Sequence, residues 1–171
     1  MKKLFALFLL SLTASCATNS EFSGEDLMFA QMMIPHHEQA IEMSDLALQN
    51  SNNAEIRDLA TKISGEQAPE IALMKSWSDS NMGSHMGHMM NGMLSDDEIR
   101  ELEKAQGAEF DRLFLEGMIK HHEGAIDMAE DVKDSTNQEV AKLAKSIISS
   151  QRAEIEYMKE LLKQKLRFSN A

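Results

Sequence analysis

Cysteine, proline and aromatic side chains are scarce in this sequence, and each scarcity excludes something. Its 171 residues include one cysteine, two prolines, one tryptophan and one tyrosine. The lone cysteine, Cys16, lies so near the start that the body of the chain can form neither a disulfide nor a thiolate metal site. No apolar run beyond the first dozen residues approaches the ~20 needed to span a bilayer. There is no glycine-rich phosphate loop either. Positive charge is in short supply: 17 Lys and Arg face 28 Asp and Glu, for a formal net charge of −11. That balance argues against nucleic acid and anionic lipid surfaces as partners, and it suits cations.

The first residues have the form of a targeting segment. Lys2 and Lys3 precede the apolar stretch Leu4 to Leu12, and Thr13-Ala14-Ser15-Cys16 has the form of a bacterial lipobox. The expectation is a signal peptide over 1–15, lipidation at Cys16, a tether over 16–23 and a single domain over 24–168. Such a protein is held in the envelope by acyl chains, at the outer membrane if the cell has two. Removing Lys2 and Lys3 takes the formal charge from −11 to −13.

What the chain has in abundance is methionine, fourteen in all, together with a repeated motif. Residues 26–44 and 111–129 agree at ten of nineteen positions at an offset of 85, including Met-Ile-x-His-His-Glu-x-Ala-Ile-x-Met. Residues 55–74 and 139–158 agree at eight of twenty at an offset of 84, among them Gln67/Gln151, Glu70/Glu154 and Met74/Met158. The repeating unit is a helical hairpin, and two hairpins predict an all-α four-helix bundle. Apolar spacing and turn chemistry place the long helices over about 24–50, 54–77, 108–133 and 138–165, with a short one over about 96–106. Pro35 and Pro69 should bend their helices. Both a ferritin-like crossover and an up-down-up-down order satisfy the linker length.

The candidate ligands follow from helical geometry. Met33 and His37, like Met118 and His122, are one turn apart on one face, the spacing that brings two ligands to one ion. His36 is in line with Met43 two turns on, as His121 is with Met128, so each helix carries a second row. Glu38, Glu123, Glu42 and Asp127 are candidate acceptors for the imidazoles. Gln67/Glu70 and Gln151/Glu154 are a repeated polar pair placed to meet the histidines, or to form an interhelical network of their own. The segment 79–94 adds Met82, His85, Met86, His88, Met89, Met90 and Met93 in a glycine- and asparagine-rich loop, a candidate for metal capture. Met28 and Met32 are expected to fill the core.

Imidazole and thioether without thiolate suit copper, Cu(I) above all, and would accept silver. No enzyme motif is completed: no Glu-x-x-His occurs, and Ile41 and Ile126 stand where His-Glu-x-x-His needs its second histidine. The expectation is therefore a non-catalytic copper-binding lipoprotein that buffers, sequesters or passes copper, with a copper-handling protein as a possible partner. The rivals are a metal-free structural or partner-binding lipoprotein and a copper-dependent oxidase.

At these residues the sequence resembles the family known as domain of unknown function 305, which includes periplasmic copper-binding and copper-tolerance proteins. The family pattern Phe-x-x-x-Met-x-x-His-His-x-x-Ala-x-x-Met runs from Phe29 to Met43 and from Phe114 to Met128. Its Gln-x-x-Glu-Ile-x-x-Met segment runs from Gln67 to Met74 and from Gln151 to Met158. The resemblance implies a ferritin-like four-helix bundle that binds copper through His and Met, and no established catalysis.

Overall fold

The computed structural model describes residues 21–77 and 90–169, with side chains of the last helix described to residue 164. The leader, Cys16, most of the tether, and Met82, His85, Met86, His88 and Met89 lie outside the described residues. Five helices form in order: α1 Gly24–Asn50, α2 Ala54–Lys75, α3 Asp96–Lys104, α4 Gly107–Val132 and α5 Gln138–Ser169. No strand occurs among the described residues. None of the helices is long and apolar enough to cross a membrane.

Local chemistry starts and stops each helix. Ser23 and Asp26 form a capping box at α1, and Ser95 and Glu98 form one at α3, each satisfying backbone N–H groups that the first turn leaves free. The side chains of Asn53 and Asn137 accept from Glu55 N–H and Glu139 N–H to open α2 and α5. Gly107 begins α4 at φ +58°, a conformation costly for residues with a Cβ. Pro35 and Pro69 are accommodated inside single uninterrupted helices.

The order of the bundle is set by contacts at its two ends. Asp26, in the first turn of α1, accepts a 2.7 Å hydrogen bond from Ser135 just beyond the end of α4. Asp111, in the first turns of α4, accepts one from Ser51 just beyond the end of α1. Helices α1 and α4 are therefore antiparallel neighbours, and each hairpin is antiparallel within itself. This is the ferritin-like arrangement, in which Trp77 and Gln106 lie at opposite ends of the bundle. The two Asp–Ser pairs are also equivalent under the 84–85-residue repeat, so a pseudo-two-fold axis relates the hairpins.

The interior has three levels. One apolar cluster holds Met43, Ile56, Ile63, Phe110, Phe114 and Met118. The other holds Phe29, Met33, Met74, Trp77, Met128 and Ile147. Between them lies a buried polar layer of His36, His37, Gln67, His121, His122, Gln151 and Glu154. Two expectations need correction here. Met28 is not core but 55 % exposed, because its position faces out beside the α1/α4 seam. Met90 belongs to the second apolar cluster rather than to an open loop, and Met93 packs partly against the same cluster.

Candidate metal centre

Four histidines meet in the polar layer, and none has any exposed surface. They arrive in pairs. Adjacent positions on a helix diverge by about 100°, so each helix sends one imidazole toward its own hairpin partner and one toward the other hairpin. His37 reaches across to α2, where its Nε2 lies 2.9 Å from Glu70 Oε2. His122 reaches across to α5, where its Nε2 lies 2.8 Å from Glu154 Oε2. His36 and His121 turn toward each other at the pseudo-axis, with ring centroids 3.8 Å apart and planes tilted by 40°.

These contacts assign the tautomers. An ionised carboxylate only accepts, so Nε2 of His37 and of His122 carries the proton and each Nδ1 presents a lone pair. His36 Nε2 lies 3.2 Å from the Asn91 carbonyl oxygen and donates to it by the same logic. The Nδ1 atoms of all four histidines are buried without a hydrogen-bond partner, and His121 Nε2 has none either. An imidazole whose one N–H is tied to a carboxylate while its other nitrogen stays free has the form of a metal ligand held by an outer acceptor.

Burial keeps His36, His121 and His122 neutral. Burial, reinforced by the neighbouring His37, pushes the His36 imidazole down to about 3. Burial drives His121 well below the usual histidine range, with His36 beside it adding to the effect. Burial also lowers His122, against the opposing pull of Glu154. For Glu154 burial acts to raise the carboxyl, but hydrogen bonds from His122 and Lys62 outweigh it and the net shift is downward. Neutral imidazoles with available lone pairs are the form that binds a metal.

The eight helical candidates fall into one pattern. Because α1 and α4 are antiparallel, Met33 and Met128 share the cluster on one side of the histidine layer, and Met43 and Met118 the cluster on the other. Met33, Met43 and Met118 have no exposed surface, and Met128 has 9 %. The four thioethers thus bracket the four imidazoles, two on each side. His36 and His121, whose depth the repeat leaves open, are at the centre.

The expected acceptors on the histidine helices do not serve that role. Glu38 pairs with Lys75 at 2.8 Å, Glu123 lies 4.0 Å from Lys159, and Asp127 accepts from Asn91 Nδ2 at 2.9 Å. Glu42 is exposed. All four project from the outer sides of their helices, and the repeated Glu70 and Glu154 hold the imidazoles instead. No group of three His, Asp or Glu side chains converges as a ready cation cage among the described residues.

One contact went unforeseen, the strap formed by residues 90–94. Its Asn91 carbonyl meets His36, and Gln39 holds Leu94 by both backbone groups, donating to its carbonyl at 2.9 Å and accepting from its N–H at 2.8 Å. Gly124 is what lets it approach: a Cβ there would lie 2.0 Å from the Asn91 carbonyl oxygen. The signal was present in the sequence as Gly124 standing where the first copy of the repeat has Gln39.

The model of the family described as domain of unknown function 305 (DUF305) matches residues 26–162. The chain belongs to the DUF305 family. A DUF305 protein from Streptomyces coelicolor, classed as secreted, is 32 % identical over 82 % of this chain and 93 % of its own, with a TM-score of 0.77. A DUF305 fragment from Deinococcus radiodurans is 30 % identical over 85 % of this chain and 99 % of its own, with a TM-score of 0.76. CopM in its Cu(I)-bound form is 36 % identical over 81 % of this chain and 96 % of its own, with a TM-score of 0.70. CopM has also been solved with Cu(II), with silver and as the apoprotein. No curated protein matches this DUF305 chain.

Proposed function

We propose that this DUF305 chain is an envelope lipoprotein, anchored through Cys16, that binds copper at the histidine layer and buffers, sequesters or transfers it without catalysis. The observation that carries this reading is the set of four buried imidazoles with unpartnered Nδ1 lone pairs. A polar layer kept only to stabilise the bundle would satisfy its own hydrogen bonds, because an unsatisfied buried polar group costs about 1–3 kcal/mol. Here His121 lacks a well-formed hydrogen bond at either nitrogen, and both side-chain polar atoms of Gln67 lack one. A ligand-binding layer is the arrangement that tolerates such a cost.

The donor set supports copper, with Cu(I) favoured: imidazoles at the centre, thioethers above and below, and no thiolate. The likeness to CopM, solved with Cu(I), Cu(II) and silver, supports the same metals, and the likeness to a DUF305 protein classed as secreted supports an extracytoplasmic location. Of the methionine-rich segment, the described Met90 and Met93 pack against the bundle, so metal capture there rests on Met82, His85, Met86, His88 and Met89. The absence of a completed catalytic motif supports holding over turnover.

Equilibrium dialysis with Cu(I) and with Cu(II) tests the reading. The expected outcome is stoichiometric binding that is lost when His36, His37, His121 and His122 are all replaced by alanine, with helicity followed by circular dichroism. Undiminished binding in that folded variant would sink the histidine layer as the site. Replacing Met82, His85, Met86, His88 and Met89 together is expected to remove additional bound ions and leave the layer filled.

A further inference from the structure

The pseudo-two-fold axis gives the α1/α4 seam two equivalent ends, and they are built differently. At one end, Glu25, Met28, Phe29, Met32, Met128, Asp131 and Val132 line an open pocket of about 350 Å³. At an offset of 85, the equivalents of Glu25, Met28, Met32, Met128 and Asp131 are Phe110, Leu113, Gly117, Met43 and Leu46. The residues at these five positions of the second end are all apolar, and the smaller hollow beside Leu113 and Gly117, about 220 Å³, has no methionine in its lining. Leu94 of the strap sits on Gly117, where a Cβ would lie 3.1 Å from its methyl and 3.3 Å from that of Met43.

The bundle therefore packs without the methionines that the first end carries. Leucine and glycine meet the packing requirement at one end, whereas the other has two extra methionines in their places. Met28 and Met32 are one helical turn apart on the same face of α1, and Met128 faces them from α4. Met28 is 55 % exposed, more than any other large hydrophobic side chain among the described residues. A single exposed apolar residue is ordinary, but three thioethers converging on one pocket are not a chance exposure. Thioethers select soft monovalent metal ions, and Glu25 and Asp131 supply the negative field that draws a cation in.

We propose that Met28, Met32 and Met128 form a surface site for a soft monovalent cation, Cu(I) or Ag(I), at the methionine-lined end of the α1/α4 seam. Met32 is four residues from His36, a rise of ~6 Å along the helix. Met128 belongs at once to this pocket and to the methionines that bracket the histidine layer. The pocket is thus the port through which an ion reaches the buried imidazoles. In this role it rests on the copper reading above, although the site itself can stand alone.

Silver nitrate is the probe, because Ag(I) cannot change oxidation state under these conditions. The full chain, labelled at the methionine ε-methyl groups, is titrated and followed by NMR. The Met28 and Met32 methyl resonances are expected to shift with the added ion. The paired substitution Met28→Leu and Met32→Leu, which preserves volume and apolarity, is expected to lose one bound equivalent of silver while keeping its helicity. Unmoved Met28 and Met32 methyls, with Met33 and Met118 responding, would overturn the port and leave the buried centre standing. Shifts at Met28 and Met32 that persist when the four helical histidines are replaced by alanine would uphold the surface site independently of the buried centre. An unchanged silver stoichiometry in the Met28/Met32 variant would overturn the port outright.

Discussion

The two hairpins carry the same imidazole–carboxylate pair in different electrostatic settings. In the second, Glu154 is buried and bridges two cationic or donor partners, His122 at 2.8 Å and Lys62 at 2.8 Å. In the first, Glu70 holds His37 but its side chain keeps 17 % of its surface in water, and no lysine or arginine among the described residues reaches it. The repeat explains the difference, since the equivalent of Lys62 is Ser146. A carboxylate deprived of water has to be compensated by a charged partner, whereas one still touching solvent does not. Duplication preserved the imidazole–carboxylate contact, and burial decided which copy needed a lysine.

Acid is the bluntest way to break both halves together. A histidine in the unfolded chain titrates near 6.5, whereas His36 in the folded protein titrates at about 3. Between those values the unfolded state holds the extra proton, so the apoprotein loses stability as pH falls through that window and regains it above. At pH 5 His36 alone should cost about 2 kcal/mol, and His121 should add to it. Urea midpoints of the metal-free protein between pH 7 and 4 check this. A flat profile would contradict the neutral buried layer.

The strap offers a sharper break, because it touches the halves unequally. Gly124→Ala should cost about 1–3 kcal/mol despite the helix propensity of alanine, since the new methyl meets backbone that has to move. Gly117→Ala meets only the ends of flexible Leu94 and Met43 side chains, and should stay within about 0.5 kcal/mol. Thermal unfolding of the two variants measures the contrast directly. Equal losses would mean that the strap is not held at Gly124.

Glu154→Gln and Glu70→Gln isolate the carboxylates. The first should lower stability by about 1.5–3 kcal/mol, as loss of a buried charge-assisted hydrogen bond does, and weaken copper about 10–100-fold. The second should cost less in stability, because water already attends Glu70. The smallest effect belongs to Lys62→Ser, which restores the symmetry of the halves. Lys62 is itself half exposed, so a loss of at most about 1 kcal/mol is expected, with most of the change appearing as weaker retention of the Glu154 charge at low pH.

Much of this was legible in the chain because it depends on local spacing. Capping at Ser23 and Ser95, turns at Asn53 and Asn137, and both hairpins follow from neighbours within a few residues. The repeat gave the four histidines and their flanking methionines, and Gln67/Glu70 and Gln151/Glu154 were recognisable as partners in waiting. Glu38 and Glu123 misled because proximity along the helix placed them next to the histidines while the 100° step turned them outward. Met28 misled in the opposite sense, since its apolar nature said core and its position said seam.

By itself, then, the sequence determined the helices, the duplication and the kinds of donor atom, all of which follow from periodicities of three to four residues and a repeat of 84–85. Only the tertiary structure decided that α1 and α4 run antiparallel, because either chain order satisfies the linker. From that one choice come the meeting of His36 with His121, the bracketing of the histidines by methionine pairs from opposite helices, and the two unequal ends of the seam. These depend on which residues face each other across a gap between helices far apart in the chain. That is a property of packing, not of spacing.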